Sequence, residues 1–563
     1  MQNYRLNDGT AVLLILFFAC ASIIPMALLG IPDGFDLLQH VRFANAYLTS
    51  WSVGDLVPVW GGNDNSGFGS IGIRFYPPLS YLVLSIAREI FGNWYDAFWT
   101  AMLFWLAAGC IGIYFWAREW LTPPYALFAS LLYCVAPYHT FQIYQAVLYA
   151  ESAVAGILPF CFLFLTRLCR RQQTLDAILF SISLTLLLLC HIPSTVIGLS
   201  CLFLYGAFLT ERQHFGATAI KAGSAFAAAL LASAFHWVKV VSEIGWVMHN
   251  KPEFYSSGYY DFHRYFFPLY LINPLNRYIE KMLWELDLII IISMIFFVPS
   301  SIFLVTRLRR IFTPPAIYRP HIGLLVGGVF SLFMLSSVSS FLWDWLPVLP
   351  KIQFPWRWLI VATAFGPVCL VVLLSDLAKF ANRRVLVYAA AAFTMILILY
   401  SVTQNILQSN PLSREVFTRQ VSEMDSTEAC SCWWPVWATS AAKDQHEQVA
   451  SGARPVTIEK WSAADRSFSV DGGKPSNATV ATFWYPYWQA TVNGSPVNVE
   501  ANSSGAITLP LPAEKSDVHL YFLEPFFVRA AGYLSLITWI GIIATLLSIW
   551  RNGRLTAKLA VVN

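Results

Sequence analysis

The sequence predicts a mainly α, polytopic helical membrane protein with a small C-terminal β-sandwich-like domain outside the membrane. Three observations support this class. Of the 563 residues, 57% are hydrophobic and only 12% are charged, whereas about 25% of the residues in a soluble domain are charged. Apolar segments close to the ~20 residues that a membrane-spanning helix requires recur along the chain. Between 403 and 529 the sequence becomes polar and contains alternating, strand-like runs.

Twelve apolar segments are predicted to cross the membrane. Residues 79–92 are also apolar, but they are few and include Arg88 and Glu89, so we predict a juxtamembrane or re-entrant helix there. Many spans follow the first segment and it has no clean small-residue cleavage site, which argues against a removed signal peptide. The predicted spans lie near 11–31, 98–117, 124–142, 151–166, 175–190, 193–209, 218–240, 286–305, 321–341, 358–376, 385–402 and 530–550.

The distribution of basic residues predicts the orientation in the membrane. With the N-terminus in the cytoplasm, every basic cluster falls in a cytoplasmic loop, as the positive-inside rule requires. We therefore expect about twelve spans in a bacterial plasma (inner) membrane, both termini cytoplasmic, and the polar chemistry on the periplasmic or extracellular face. The basic residues assigned to the cytoplasm are Arg118, Arg167, Arg170, Arg171, Arg212, Lys221, Arg307, Arg309, Arg310, Arg319, Lys379, Arg383, Arg384, Arg551, Arg554 and Lys558.

This topology divides the chain into three parts. Residues 1–402 form a transmembrane domain with a large first extracytoplasmic loop, 32–97. Residues 403–529 form the extracytoplasmic β-rich domain, in which Asn493-Gly494 between two alternating runs indicates a type I′ hairpin. Residues 530–563 form a last transmembrane helix and a cytoplasmic tail. Cys430 and Cys432 lie in the polar domain and could oxidise in a periplasm-like compartment.

Acidic and histidine side chains follow the first span. Asp36 and His40 are four residues apart, which places them on one face of a helix. A carboxylate there could act as a general base toward a hydroxyl, or could bind a divalent cation together with His40. The alternative is an N-cap carboxylate that begins a juxtamembrane helix, a role that fits Asp33 better.

Cationic and polar residues recur at the same predicted face. Arg74 stands before a proline pair, which favours a helix start, and Arg357 precedes a span; either could bind phosphate or simply anchor the chain at the interface. Glu151 begins an apolar stretch, and an ionisable group at the edge of a span is a functional candidate. His191, between two spans, fits a buried turn histidine slightly better. Tyr76 and Gln353, beside the two arginines, complete the set of candidate substrate-binding residues.

These motifs resemble a known family. The chain combines D-x3-H after the first span, F-Y-P-P-L-x-Y, H-I-P and Q-F-P-W-R, followed by F-W-Y-P-Y-W-Q-A-T-V-N-G. The pattern is similar to bacterial membrane proteins of the 6-pyruvoyl-tetrahydropterin synthase-related family, within the GT-C superfamily of polyprenyl-phosphate-dependent glycosyltransferases. The resemblance implies a GT-C-like fold and inverting sugar transfer from a lipid-phosphate donor. It makes Asp36 the catalytic carboxylate and Glu151 its acidic companion.

We therefore expect a membrane glycosyltransferase that moves a sugar from a polyprenyl-phosphate donor to an extracytoplasmic glycan, lipid or protein. In this hypothesis His40, Arg74, Tyr76, His191, Gln353 and Arg357 bind substrate, and Mg²⁺ or Mn²⁺ at Asp36 and His40 is a possible cofactor. The partners are the lipid-linked donor, the bilayer and the acceptor, with no nucleic acid. Two alternatives stay open: a non-catalytic scaffold that retains the fold, and a lipid or ion-coupled transporter. A transporter would need polar residues at mid-span, whereas the charges here lie at span ends.

Overall fold

The computed structural model describes residues 6–253, 260–268, 277–307, 319–379, 384–426 and 429–562. Helices form most of this part of the chain. Arg309, Arg310 and Arg383, used above to predict topology, lie outside the described residues. The α-helices are α1 (Asp8–Leu29), α2 (Leu37–Ser52), α3 (Pro78–Phe91), α4 (Trp94–Ala117), α5 (Pro123–Cys134), α6 (Pro137–Tyr144), α7 (Tyr149–Arg171), α8 (Thr174–Leu188), α9 (Ile192–Leu209), α10 (Phe215–Ala232), α11 (Ala234–Glu243), α12 (Arg277–Arg307), α13 (Arg319–Leu335), α14 (Ser340–Trp345), α15 (Leu359–Leu377), α16 (Arg384–Gln408), α17 (Arg414–Glu423) and α18 (Phe526–Val562).

The polytopic helical class is confirmed. Each predicted apolar segment overlaps one or two of these helices. Among the described residues, 8 helical stretches are long and apolar enough to cross a membrane, and three shorter apolar helices accompany them. The segment predicted at 124–142 is broken into α5 and α6, because Pro137 has no N–H to continue the helix. The count of about twelve spans stays a prediction.

Helix α3 corresponds to the segment that was predicted not to span. It has 14 residues, begins with Pro78 in its first turn and ends at Gly92 in the left-handed conformation. At 1.5 Å per residue it is about 21 Å long, short for a membrane crossing. The proline pair therefore begins a helix as predicted, and this helix follows directly after the candidate residues Arg74 and Tyr76.

Close packing of α4 against α7 fixes the start of α7, which carries Glu151. A Cβ atom on Gly109 would lie 2.7 Å from the carbonyl oxygen of Ala155, and one on Gly156 would lie 2.9 Å from that of Trp105. Small residues at such crossings let helix backbones approach closely. Side chains larger than hydrogen at these two glycines would push the helices apart and displace Glu151.

The C-terminal domain is confirmed as two antiparallel sheets. One has four strands in the order β3-β6-β10-β9, the other five in the order β4-β5-β11-β7-β8. Arg466 on β5 donates from Nη1 to the carbonyl oxygen of Ala481 on β6 at 3.2 Å, so the sheets face one another. The strands are β1 (Ile31–Pro32), β2 (Pro411–Leu412), β3 (Val449–Ala450), β4 (Val456–Trp461), β5 (Asp465–Val470), β6 (Ser476–Phe483), β7 (Trp488–Val492), β8 (Ser495–Val497), β9 (Glu500–Ala501), β10 (Ala506–Leu511) and β11 (Ser516–Phe522).

The predicted hairpin joins β7 to β8. Val492 pairs with Ser495, and the two residues between them have φ values of 51° at Asn493 and 77° at Gly494. Positive φ at both positions is what a type I′ turn requires. The Asn493 side chain also accepts from the backbone N–H of Asp517 at 2.8 Å and donates to the carbonyl oxygen of Lys515 at 3.0 Å. This turn is therefore anchored to the neighbouring strand.

The membrane helices and the β domain are joined at several points. The short strands β1 and β2 pair with each other, so the chain just after α1 meets the chain just after α16. The boundaries expected at 402 and 529 fall inside α16 and α18, because both helices extend beyond the predicted apolar segments. Residues 32–97 and the segment after α16 are thus brought to the same end of the helical bundle.

Candidate active site

A cavity of about 560 Å³ lies where the first loop, the segment before α15 and the segment after α17 meet. Its wall combines charged, amide and aromatic side chains. Four residues predicted as site residues line it together: Asp36, Tyr76, Gln353 and Arg357. The remaining polar and aromatic lining residues that matter here are Asp33, Gln39, Arg42, His249, Tyr260, Phe354, Trp356 and Trp433.

Asp36 presents an unpaired carboxylate to this cavity. It is the N-cap residue of α2, yet its side chain makes no capping hydrogen bond. It forms no ion pair with any residue that the structure describes. Burial raises the pKa of Asp36 above its ordinary value, against the opposing charge of Arg357. The assignment of the N-cap to Asp33 was wrong, because the chain at Asp33 is still held by a backbone bond to Asn410.

Arg357 supplies the positive charge on the same wall. Its Nη1 donates to the carbonyl oxygen of Ile352 at 2.7 Å and to Oε1 of Gln353 at 2.8 Å. Its Nε faces Oε2 of Glu151 at 3.4 Å. Nη2 makes no hydrogen bond within the described ranges. The guanidinium is thus held on two sides, with one nitrogen left for a ligand.

Gln353 is held in a strained backbone conformation. Its φ is 71° and its ψ is −55°, and the N–H of Phe354 donates to the carbonyl oxygen of Ile352 at 2.9 Å. This is a γ-turn with positive φ at its central residue, a rare and strained conformation. Such strain of about 1–3 kcal/mol is found mainly at functional sites. Here it directs the Gln353 amide to both Arg357 and His249, whose Nε2 lies 3.2 Å from the amide nitrogen.

Glu151 lies behind Arg357 and does not line the cavity. It is 2% exposed and is the first acidic residue of α7. Its Oε1 accepts from the Tyr138 hydroxyl at 2.6 Å and from the Gln142 amide at 3.1 Å, while its other oxygen faces Arg357. The sequence suggested a residue at the reacting centre; the geometry instead suits a residue that orients Arg357.

The two predicted histidines do not reach the cavity wall. His40 Nδ1 lies 3.0 Å from the Tyr81 hydroxyl, and burial lowers the pKa of His40 to about 3. His191 Nδ1 lies 2.9 Å from the Ser194 hydroxyl at the start of α9, as expected for a buried turn histidine. Although Asp36 and His40 are close in sequence, the Asp36 side chain lines the cavity and the His40 ring contacts Tyr81 instead.

Arg74 is also directed away from the cavity. Its guanidinium donates to both carboxylate oxygens of Glu243, at 2.8 and 2.7 Å, and to both of Glu524, at 2.6 and 2.9 Å. Lys239 lies 3.4 Å from Glu524, and the Tyr485 hydroxyl donates to Glu243 at 2.7 Å. This buried cluster links the first loop, α11 and the β domain. The two carboxylates already occupy the Arg74 guanidinium and would compete with a phosphate for it, so Arg74 does not fit the predicted phosphate contact.

Several cavity residues were missed from the sequence. Gln39 lies one turn after Asp36 on α2, a spacing that could have indicated it. Arg42 lies a further turn on and is 3.7 Å from Asp64. His249 and Trp433 are distant in sequence from these residues, and no local pattern marks them. The His249 and Trp433 rings are in contact at a centroid distance of 4.6 Å, with their planes tilted by 40°.

Comparison with known families agrees with this architecture. The family model described as "6-pyruvoyl-tetrahydropterin synthase related domain; membrane protein" matches residues 73–412, more than half of the chain. The chain belongs to this family. The matched range includes Tyr76, Glu151, Gln353 and Arg357 but begins after Asp36. No protein in the search of curated proteins matches.

Among solved structures, two similar ones are forms of an archaeal oligosaccharyltransferase from Archaeoglobus fulgidus. The apo crystal structure has a TM-score of 0.43 and 13% identity, covering 72% of this chain and 57% of that one. The complex of AglB with an inhibitory peptide and a dolichol-phosphate has a TM-score of 0.44 and 12% identity, covering 72% and 56%. This member of the pterin-synthase-related family thus aligns with little more than half of those chains.

The described residues of this family member were compared with the ligand sets that metal ions require. No group of three or more His, Cys, Asp and Glu side chains that could hold a metal occurs in the described ranges. The suggested pair does not fit either, because the His40 ring is turned to Tyr81 and away from the cavity.

Proposed function

We propose that the protein is a membrane glycosyltransferase of the GT-C type. It transfers a sugar from a polyprenyl-phosphate donor to a hydroxyl of an extracytoplasmic glycan, lipid or protein. The proposal rests mainly on one observation: Asp36 and Arg357 line the same cavity. The Asp36 carboxylate forms no ion pair with a described residue, and the Arg357 guanidinium has one nitrogen free. Group transfer from a phosphate needs these two functions, a base for the acceptor and a cation for the leaving group.

In the proposed reaction, Asp36 accepts the proton of the acceptor hydroxyl as its oxygen attacks the anomeric carbon of the donor sugar. The new glycosidic C–O bond forms while the bond from the anomeric carbon to the phosphate oxygen breaks. The electron pair of that bond remains on polyprenyl phosphate, and Nη2 of Arg357 stabilises the added negative charge. One displacement inverts the anomeric configuration. The raised pKa of Asp36 makes it a stronger base than an exposed aspartate.

Glu151 and Gln353 are proposed as positioning residues. Glu151 faces Nε of Arg357, and Gln353 accepts from Nη1, so the guanidinium is held on two edges before substrate arrives. Such preorganisation is the larger part of electrostatic catalysis, because no energy is then needed to orient the group. The γ-turn strain at Gln353 supports this role over that of a plain interfacial anchor.

The same contacts weigh against the two alternatives. A scaffold has no need for an unpaired, half-buried carboxylate beside a buried cation, because both groups cost free energy to desolvate. A transporter would be favoured by unpaired charges at mid-span, whereas Asp36 and Arg357 precede α2 and α15 at one end of the bundle. We further propose that this end faces the periplasm or the cell exterior, at the bacterial inner membrane.

The test is transfer of radiolabelled sugar from a panel of polyprenyl-phosphate donors by purified wild type and by Arg357→Lys. Lysine keeps the charge but cannot make the two Nη1 contacts and present a second nitrogen. We expect wild-type transfer with inverted configuration, and a 10²–10³-fold lower kcat in the variant, about 2.7–4 kcal/mol. Arg414→Lys, at an exposed pair with Asp96, is the control and should keep full activity.

No transfer by wild type from any donor would reject the proposal in favour of a scaffold. Equal activity of wild type and Arg357→Lys would remove Arg357 from the mechanism. Repeating the assay with EDTA tests the separate hypothesis from the sequence that Mg²⁺ or Mn²⁺ is a possible cofactor.

A further inference from the structure

Gln39, one of the residues that line the cavity, carries a hydrogen-bond donor that the described protein leaves unused. It lies on α2, one turn after Asp36, and lines the same cavity. Its Oε1 accepts from the backbone N–H of Cys430 at 3.3 Å. Its Nε2 is buried and has no hydrogen-bond partner anywhere in the described chain. A buried amide N–H without an acceptor is costly and calls for an explanation.

The orientation of this amide is set by its partner. A backbone N–H can only donate, so the oxygen of Gln39 must face Cys430 and the NH₂ group must point the other way. Among the cavity-lining residues that the structure describes, Arg357 is the other one with a buried nitrogen that lacks a hydrogen bond. That nitrogen already faces the Glu151 carboxylate at 3.4 Å. The amide of Gln39 has no such counterpart.

The backbone N–H that donates to Oε1 belongs to a disulfide-bonded turn. Cys430 and Cys432 form a disulfide, and both residues line the cavity. The next residue, Trp433, packs on Tyr76 at a centroid distance of 5.1 Å. A Cβ atom on Gly72 would lie 2.9 Å from Cγ of this indole, so the turn fits tightly against the first loop. The bridge thus holds the backbone N–H that orients Gln39.

We propose that Gln39 is a substrate-binding residue whose amide N–H donates to an oxygen of the bound substrate, and that the Cys430–Cys432 bridge is the element that positions it. The inference rests on the proposed sugar transfer. The oxygen is either a sugar hydroxyl or a phosphate oxygen, since both accept from an amide and both would lie near Asp36 and Arg357.

The first test compares Gln39→Leu with wild type in the transfer assay. Leucine removes the donor at similar volume, so we expect KM for donor or acceptor to rise about tenfold while kcat changes less, which is a loss of uniform binding. Gln39→Glu distinguishes the two oxygens. If the oxygen belongs to phosphate, the glutamate carboxylate repels it and binding is weaker than in Gln39→Leu. If the oxygen belongs to a sugar hydroxyl, the carboxylate accepts a hydrogen bond from it and binding is restored. Wild-type KM values in Gln39→Leu would overturn the assignment.

The second test addresses the bridge. All ten cysteines are accounted for, and the other eight are free thiols, so a reductant has one target. Treatment with a phosphine should raise KM in wild type as Gln39→Leu does, and should leave Gln39→Leu unchanged. Cys430→Ala with Cys432→Ala should behave like reduced wild type. Mass measurement after alkylation verifies reduction. An unchanged KM in the reduced wild type, or an equal effect in Gln39→Leu, would overturn the positioning role.

These outcomes separate the inference from the proposed function. Absence of transfer by untreated wild type would reject the glycosyltransferase proposal, and the inference with it. Transfer by wild type with no response to either change would reject the inference alone. Binding of labelled polyprenyl phosphate to the same purified proteins gives a readout that does not depend on turnover.

Discussion

Replacing Arg74 by methionine should detach the β domain from the helical bundle. The Arg74 and Glu243 side chains are both fully buried, and the guanidinium makes four hydrogen bonds to two carboxylates. Methionine fills similar space but leaves Glu243 without a cation, whereas Glu524 keeps Lys239 at 3.4 Å. Breaking a buried pair in this way costs about 3–5 kcal/mol. The assay is thermal unfolding in detergent, combined with limited proteolysis of the β domain.

Arg414→Met is the matched control. Arg414 also pairs through two nitrogens with one carboxylate, that of Asp96, at 2.9 and 2.6 Å. Its side chain is 54% exposed, and exposed pairs contribute only about 0–1 kcal/mol. Adding Glu243→Gln to Arg74→Met removes the unpaired charge and should recover part of the loss. Equal unfolding temperatures for the Arg74 and Arg414 variants would refute the claim that the buried cluster joins the two domains.

The pH dependence of this cluster follows from Glu524. Burial alone would raise its pKa, but hydrogen bonds and charge from Arg74 and Lys239 hold the pKa of Glu524 below its ordinary value. A carboxylate whose pKa is lowered by folding stabilises the folded state at pH values above its pKa in the unfolded chain, about 4.3. This stabilisation is lost as the pH falls through the lower pKa of the folded state. The difference in unfolding temperature between wild type and Arg74→Met should therefore become smaller as the pH falls.

Three further predictions follow from local geometry. Because burial raises the pKa of Asp36, kcat/KM should fall toward acid with a midpoint above about 4, the ordinary aspartate value; a midpoint at or below 4 would contradict this. Gln353→Gly removes the backbone strain of the positive φ of 71°, so the unfolding temperature should stay the same or rise. Sugar transfer should fall at least about tenfold, because Arg357 loses a hydrogen-bond acceptor. Asn493→Ala should destabilise the β domain by about 2 kcal/mol, because alanine is strained at positive φ and two hydrogen bonds are lost. Asn493→Gly loses the hydrogen bonds without the strain and should cost about half of that. Denaturant unfolding of the two variants measures the difference.

Features that depend on local sequence were predictable. The apolar segments became helices because length and hydropathy decide that outcome. The Asn493-Gly494 turn formed because both residues tolerate positive φ. Pro137 broke a predicted span into two helices, since the prediction weighed apolarity more than the missing N–H.

The site was predictable only in part, because it is assembled from distant segments. Asp36 and Arg357 were identified from residue type and their place at span ends, and both line the cavity. Arg74 was misassigned because its partners, Glu243 and Glu524, lie far along the chain and no spacing relates them to it. The turn at Cys430 reaches the cavity by tertiary packing alone, so nothing near Asp36 in sequence could indicate it.

The catalytic role of Asp36 is tested most directly by sugar transfer in Asp36→Asn compared with Asp33→Asn. Both aspartates line the cavity and lie three residues apart, so the second variant controls for loss of negative charge at the same wall. We predict that transfer from a polyprenyl-phosphate donor is lost in Asp36→Asn at normal expression and is retained in Asp33→Asn. Full transfer by Asp36→Asn would show that another group accepts the proton and would contradict the role of Asp36 as the base.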